Sequence, residues 1–279
     1  MSNYQDEPLK PSRYAFIRWF GFDQFIPEQA VTSYWVSAKV FFTIRFVCAL
    51  YSTIVFWTSL GNSISNGEGQ KFFTAFTNLT FVGLHSYLVY RSDKQVRKYD
   101  RSNEDRQTCV AHYFFFPSFM LSIVTPVVFW SLLARGATTA GRMSTWLNVS
   151  VHGVSFFLML FDVIFNRMKL PIRLIVFVLL TVLFYMFLTF IIHATAGFWV
   201  YPFLDWQQGP KAAIWYFVVA IVVVVSFFIM KIVHSIRDYI ALKTGKIDVV
   251  TSPDATEKVQ DNTNIIIHEN TQKSNTNYV

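Results

Sequence analysis

Residues 171–195 read PIRLIVFVLLTVLFYMFLTFIIHAT, and Arg173 is the one charged side chain among them. A helix needs about 20 apolar residues to cross a hydrocarbon core of about 30 Å, and this stretch supplies them. Further stretches of the same kind lie at 40–60, 72–90, 110–133, 146–165 and 212–234. The first and fourth of the six contain single charges, Arg45 and Asp162. A transmembrane β-barrel would instead show segments of about ten residues with alternating polarity, and no such alternation is present. The expected fold is therefore all-α: a polytopic membrane protein built as a bundle of about six transmembrane helices.

Composition points the same way. Of the 279 residues, 53% are hydrophobic, 18% aromatic and 15% charged, and the mean hydropathy is +0.36. A soluble domain carries roughly 25% charged residues, and here the polar residues gather at the ends and in the loops. The sequence divides into an amino-terminal arm over 1–39, a transmembrane domain over 40–234 and a polar tail over 243–279. The tail is low in apolar residues and reads as disordered.

Lys and Arg set the orientation. With the amino terminus in the cytoplasm, nineteen of them fall on the inside, against Lys71, Arg135, Arg142 and Lys211 outside. That asymmetry follows the positive-inside rule, supports an even number of spans and places both termini in the cytoplasm. It also explains the net charge of +7 through topology and the anionic inner leaflet, so no nucleic-acid partner is expected. The arm lacks the basic start and apolar run of a signal peptide. Its Trp19, Phe20, Phe22 and Phe25 suit a segment at the headgroup level.

The two cysteines, Cys48 and Cys109, have no C-x-x-C neighbour, and neither a disulfide nor a zinc site is expected. No metal or other cofactor is called for. The glycosylation tripeptides starting at Asn78 and Asn148 fall inside predicted spans and are discounted.

Polar side chains inside the bilayer are costly and usually face the bundle interior or a wet cavity. At 1.5 Å per helical residue, they sort into two levels. Thr74 and Thr77 lie in the outer leaflet portion of the second span. Asn148 lies near the mouth of the fourth, with His152 roughly 9 Å in from Trp146, and His193 ends the fifth. Toward the cytoplasm lie Arg45, His85, His112 and Asp162. Arg45 with Asp162 reads most simply as a structural ion pair between two helices, the alternative being a proton relay or ion path.

On the outer level two readings stand. A membrane-helix Thr commonly bonds the carbonyl one turn back, and a His there can simply bridge helices. The same residue types also make a nucleophilic site, which needs a hydroxyl, a base and a group that orients the base. Thr74 or Thr77, one turn apart, would supply the hydroxyl and His152 the base, with Asn148 on the same face as His152.

Three segments carry a resemblance: Lys71-Phe72-Phe73-Thr74, Trp146-Leu147-Asn148 followed by His152, and Gly197-Phe198-Trp199-Val200-Tyr201-Pro202-Phe203-Leu204-Asp205. In order and spacing they resemble the androgen-induced protein family and its rolling stone relatives, over roughly 40–235. The last segment is the most specific. The resemblance implies a multipass threonine hydrolase that cleaves fatty acid esters of hydroxy fatty acids, with membrane lipids and a lipid ester as its partners. It maps the catalytic pair to Thr74 and His152 and gives His193 a counterpart.

Three departures qualify the mapping. Val149 stands where the family's hydrolases have a second histidine, and Ala134-Arg135-Gly136-Ala137 replaces an acidic and basic run. An extra residue in the Thr motif makes Thr77 the alternative nucleophile. Asn78, Asn148 and His193 are the supporting candidates, the two asparagines as oxyanion donors. The alternative function is that of a non-enzymatic, rolling stone-like protein in cell fusion or adhesion, and the third is a transporter using Arg45, His85 and Asp162. The expected host is the endoplasmic reticulum or the plasma membrane.

Overall fold

The structure is a computed structural model that describes residues 10–96 and 141–247. The expected third span at 110–133, with Cys109 and His112, lies outside the described residues, as does the tail from 248 onward. Among the described residues every regular element is helical and no strand occurs.

The arm forms two short helices, α1 (Ala15–Phe20) and α2 (Pro27–Val31). The long α3 (Ala38–Ser65) follows, its first turn capped by the Ser37 side chain, which accepts from the Val40 amide. Next come a single turn, α4 (Gly69–Phe72), and α5 (Phe76–Val96). After the undescribed stretch, α6 runs over Arg142–Phe165, α7 over Ile175–Ala196 and α8 over Pro210–Lys243. Of these, α3, α6, α7 (with its leading turn from Ile172) and α8 are long and apolar enough to cross a membrane. The chain is an integral, multipass membrane protein.

The distribution of side chains explains why these helices need lipid around them. Phe217 is 72% exposed, and Phe184, Ile191 and Ile221 are similarly bare. The interior, by contrast, holds Arg45 at 1% exposure, Asp162 and Arg237. Water would reverse this arrangement, whereas hydrocarbon favours it.

Lys10–Asp238 form one compact unit. Its core draws on every long helix: Cys48 and Ala49 from α3, Leu84 and Leu88 from α5, Met159 and Val163 from α6, Val178 from α7, and Phe227 from α8. The second unit, in its described part, is helical from Tyr239 to Lys243 and ends in a turn.

Three local departures from ideal helices position the rest. First, α6 is α-helical over Arg142–Val149, opens into a π-helical turn over Ser150–Val154 and resumes at Ser155. The turn contains Gly153, a weak helix former, and Ser155 draws its hydroxyl back to the Val151 carbonyl at 2.8 Å. Such single π turns occur frequently at functional sites.

Second, the chain between α6 and α7 is extended. Arg237 donates to the Val163 and Met168 carbonyls and to Asn166 Oδ1, and Lys231 donates to the Leu170 carbonyl. Cationic donors at the end of α6 satisfy carbonyls that the helix cannot. The arm docks on the same segment. Phe20 and Phe22 pack against Phe177, the Arg167 amide donates to the Gln29 carbonyl, and Trp35 Nε1 donates to the Ile164 carbonyl. Phe20 and Phe22 thus contact protein, while Phe16 and Trp19 stay exposed.

Third, α7 ends at Gly197, whose φ is 73° and whose amide bonds back to the His193 carbonyl. An added Cβ there meets nothing within 4 Å, so backbone strain is the whole penalty. Gly197→Ala is expected to destabilise by about 1 kcal/mol, seen as a lower thermal midpoint in detergent, with Gly197→Asn better tolerated.

Candidate functional site

The three sequence segments that carry the family likeness meet at one end of the bundle. Lys71 lies 5.5 Å from the Phe198 ring. Tyr185 of α7 reaches the start of α5, where its hydroxyl accepts from the Phe76 amide at 3.1 Å and donates to the Thr74 carbonyl at 2.8 Å. This tyrosine caps α5 from a distant part of the chain, taking up one of the amides that a helix start leaves unpaired. Leu147 and Val151 of α6 pack with Val55 and Phe81.

The cap decides where the two threonines go. Thr74 lies in the turn between α4 and α5, partly exposed, with its hydroxyl donated to the Lys71 carbonyl at 2.7 Å. Thr77 is inside α5, buried at 9% exposure. The two therefore do not share a helical face. Thr77 lines a cavity of about 440 Å³ and Thr74 does not. The volume is in the range of small-molecule pockets.

That cavity runs alongside α7 from Val176 to Met186, about 15 Å of helix, with Val219 and Val223 of α8 on the other side. Its lining is aliphatic and aromatic, and apart from Thr77 the oxygen-bearing side chains in it are Tyr185, Tyr201 and Tyr216. Such a lining suits a hydrocarbon chain.

His152 is buried at 7% exposure, at the middle of the π-helical turn. That turn packs against α5 and is fixed to α3 by a 2.8 Å hydrogen bond between Ser150 and Tyr51. Neither threonine hydroxyl hydrogen-bonds to the His152 ring in this structure. The structure thus brings the segments of Thr77 and His152 together, and the last approach between the side chains is open.

Two of the supporting residues have visible local contacts. Asn78 donates its amide to the Phe72 carbonyl at 2.8 Å, closing the turn before α5. Asn148 is partly buried two residues ahead of the π segment. His193 stacks on Trp199 at 4.1 Å with the planes 12° apart.

At the opposite end, Arg45 Nε meets Asp162 Oδ1 at 2.6 Å, both side chains at 1% exposure. Tyr87 donates to Oδ2 at 2.8 Å and Asn166 donates to it at 3.1 Å. The Arg45 guanidinium also lies 4.0 Å over the Phe41 ring. His85 is elsewhere, bonded through Nδ1 to Ser52 at 3.0 Å and stacked on Phe56. Its partner is seven residues from Arg45, about 10 Å along α3. Among the described residues no His, Cys, Asp and Glu group has the geometry to hold a metal ion.

Sequence reasoning passed over Tyr185, Tyr201, Tyr87, Asn166 and Arg237. Tyrosines count as apolar in a hydropathy reading, and the signal that remained was the placement of Tyr201 within the most specific of the three segments.

Comparison with known sequences gives one family. The sequence model described as FAR-17a/AIG1-like protein matches residues 38–235. No curated protein and no solved structure matches the chain.

Proposed function

Since the chain belongs to the FAR-17a/AIG1-like protein family, we propose that it is an intramembrane hydrolase of fatty acid esters of hydroxy fatty acids. In this reading six helices span the bilayer over residues 40–234, both termini face the cytoplasm, and the host membrane is the endoplasmic reticulum or the plasma membrane.

The observation that carries the proposal is the position of Thr77, on the wall of an elongated apolar cavity and on the helix against which the His152 turn packs. Thr77, rather than Thr74, is the nucleophile. The Thr74 hydroxyl is committed to a backbone carbonyl outside the cavity.

The chemistry follows from these positions. A hydrophobic ester enters from lipid with a chain along α7. His152 takes the Thr77 proton as Oγ attacks the ester carbonyl, then returns it to the leaving alcohol, and an acyl-threonine remains. Water from the outer interface hydrolyses that ester with His152 again moving the proton. A hydrogen bond between Thr77 and His152 forms on substrate binding, as catalytic contacts often tighten only in the complex.

The test is release of fatty acid by the full chain in proteoliposomes. His152→Ala is expected to lower turnover by at least about 10²-fold, while the variant inserts and accumulates like the parent. Undiminished turnover in that variant would refute the assignment of the base.

A further inference from the structure

The cavity wall contains three tyrosines whose hydroxyls differ. Tyr185 accepts from the Phe76 amide and donates to the Thr74 carbonyl. Tyr216 accepts from Trp206 Nε1 and donates to the Leu204 carbonyl. The Tyr201 hydroxyl is buried and has no hydrogen-bond partner. Its ring is held by stacking on Phe203, at 5.2 Å with the planes 4° apart, and by the Tyr185 ring at 6.5 Å.

The neighbours of that hydroxyl are the Thr77 side chain, the backbone of Phe76 and Thr77, and the Tyr185 hydroxyl, none of them at hydrogen-bonding geometry. A buried donor left without an acceptor is costly, and native structures seldom keep one without a reason. An oxygen atom presented by a ligand would satisfy it once the ring turns toward the cavity, because the hydroxyl itself has no exposed surface here. Such an oxygen would lie at the first turn of α5, where the positive end of the helix dipole favours negative charge.

We propose that Tyr201 is a catalytic residue whose hydroxyl donates to the carbonyl oxygen of the ester that Thr77 attacks and holds the resulting oxyanion. The assignment rests on the hydrolase reading above. As the bond from Thr77 Oγ to the acyl carbon forms, the carbonyl π pair moves onto the oxygen facing Tyr201, and the Thr77 proton passes to His152. On collapse the pair returns, the ester C–O bond breaks and the departing alcohol takes the proton from His152. Tyr201 keeps its own proton throughout. Burial holds its phenol above the ordinary value, so it stays a donor at any pH at which the enzyme would work.

Tyr201→Phe removes one oxygen and keeps the stacked ring. With a long-chain fatty acid ester of a hydroxy fatty acid as substrate for the full chain in proteoliposomes, kcat is expected to fall about 10²–10³-fold. KM and the thermal midpoint should hardly move. Tyr185→Phe, which uncaps α5, is the comparison and should lower the thermal midpoint. Full kcat in Tyr201→Phe beside an active parent overturns the role of Tyr201 and leaves the hydrolase reading intact. A kcat loss matched by a lower midpoint and a raised KM overturns it in favour of a structural role. An inactive parent overturns both.

Discussion

Thr77→Ala is expected to abolish ester hydrolysis, by about 10⁴-fold or more, in a protein that still inserts and accumulates. The substitution removes a hydroxyl and a methyl from the first turn of α5, and the helix keeps its start because Tyr185 caps it through backbone groups of Phe76 and Thr74. Alanine is also a better helix former than threonine. The loss would therefore be chemical. Without the hydroxyl no acyl-enzyme forms, and what remains is only the binding of the ester beside polarising groups.

Thr74→Ala should behave differently, retaining turnover within a few-fold, since its hydroxyl is used locally on the Lys71 carbonyl. Mapping the site of a fluorophosphonate probe gives an independent reading. Label at residue 77 and not at 74 is expected, and label at 74 alone would show that the resemblance located the nucleophile better than the cavity did.

Asp162→Leu carries the largest expected effect on stability. The carboxylate is buried with Arg45 at 2.6 Å and receives Tyr87 and Asn166 on its second oxygen. Its removal leaves an uncompensated guanidinium inside the bundle, and breaking a buried pair from one side costs about 3–5 kcal/mol. A lower yield of folded protein and a large drop in the thermal midpoint in detergent should follow. The double replacement Arg45→Met with Asp162→Leu removes both charges and should recover most of the loss, because the pair is weakly favourable at best once its desolvation is counted. If the double variant were as unstable as the single one, the pair would not be the reason for the defect. Retained ester hydrolysis in the double variant would further separate this ion pair from the chemistry at the other end.

The spans were legible because burial in lipid demands length and apolarity, which are properties of consecutive residues. Expected limits of 40–60, 146–165, 171–195 and 212–234 correspond to helices Ala38–Ser65, Arg142–Phe165, Ile172–Ala196 and Pro210–Lys243. The last overruns its expected end by nine residues, since Arg237 and its neighbours continue the helix while bonding the α6 to α7 connection. Hydropathy discounts charged residues, so it ends a span where the backbone does not. The expected second span was the reverse case, and its helix is not among the four long and apolar enough to cross a membrane. Its apolar run begins at Phe72, but the helix begins at Phe76.

That difference of four residues altered the candidate site. In KFFTAFTNL both threonines read as successive turns of one helix, and nothing local marks the break. The break is held by a tyrosine more than a hundred positions away, so it exists only in the folded chain. The π-helical turn around His152 is similar, being a property of the hydrogen-bond ladder with Gly153 as its faint trace. Sequence alone determined the helical class, the membrane setting and which polar residues had to be accounted for, because each of these depends on composition and spacing along the chain. Tertiary structure alone decided that Thr74 and Thr77 fall in different surroundings and that Thr77 and Tyr201 share one apolar cavity, because hydrogen bonds and cavities are made between helices whose rotation and depth no single segment records.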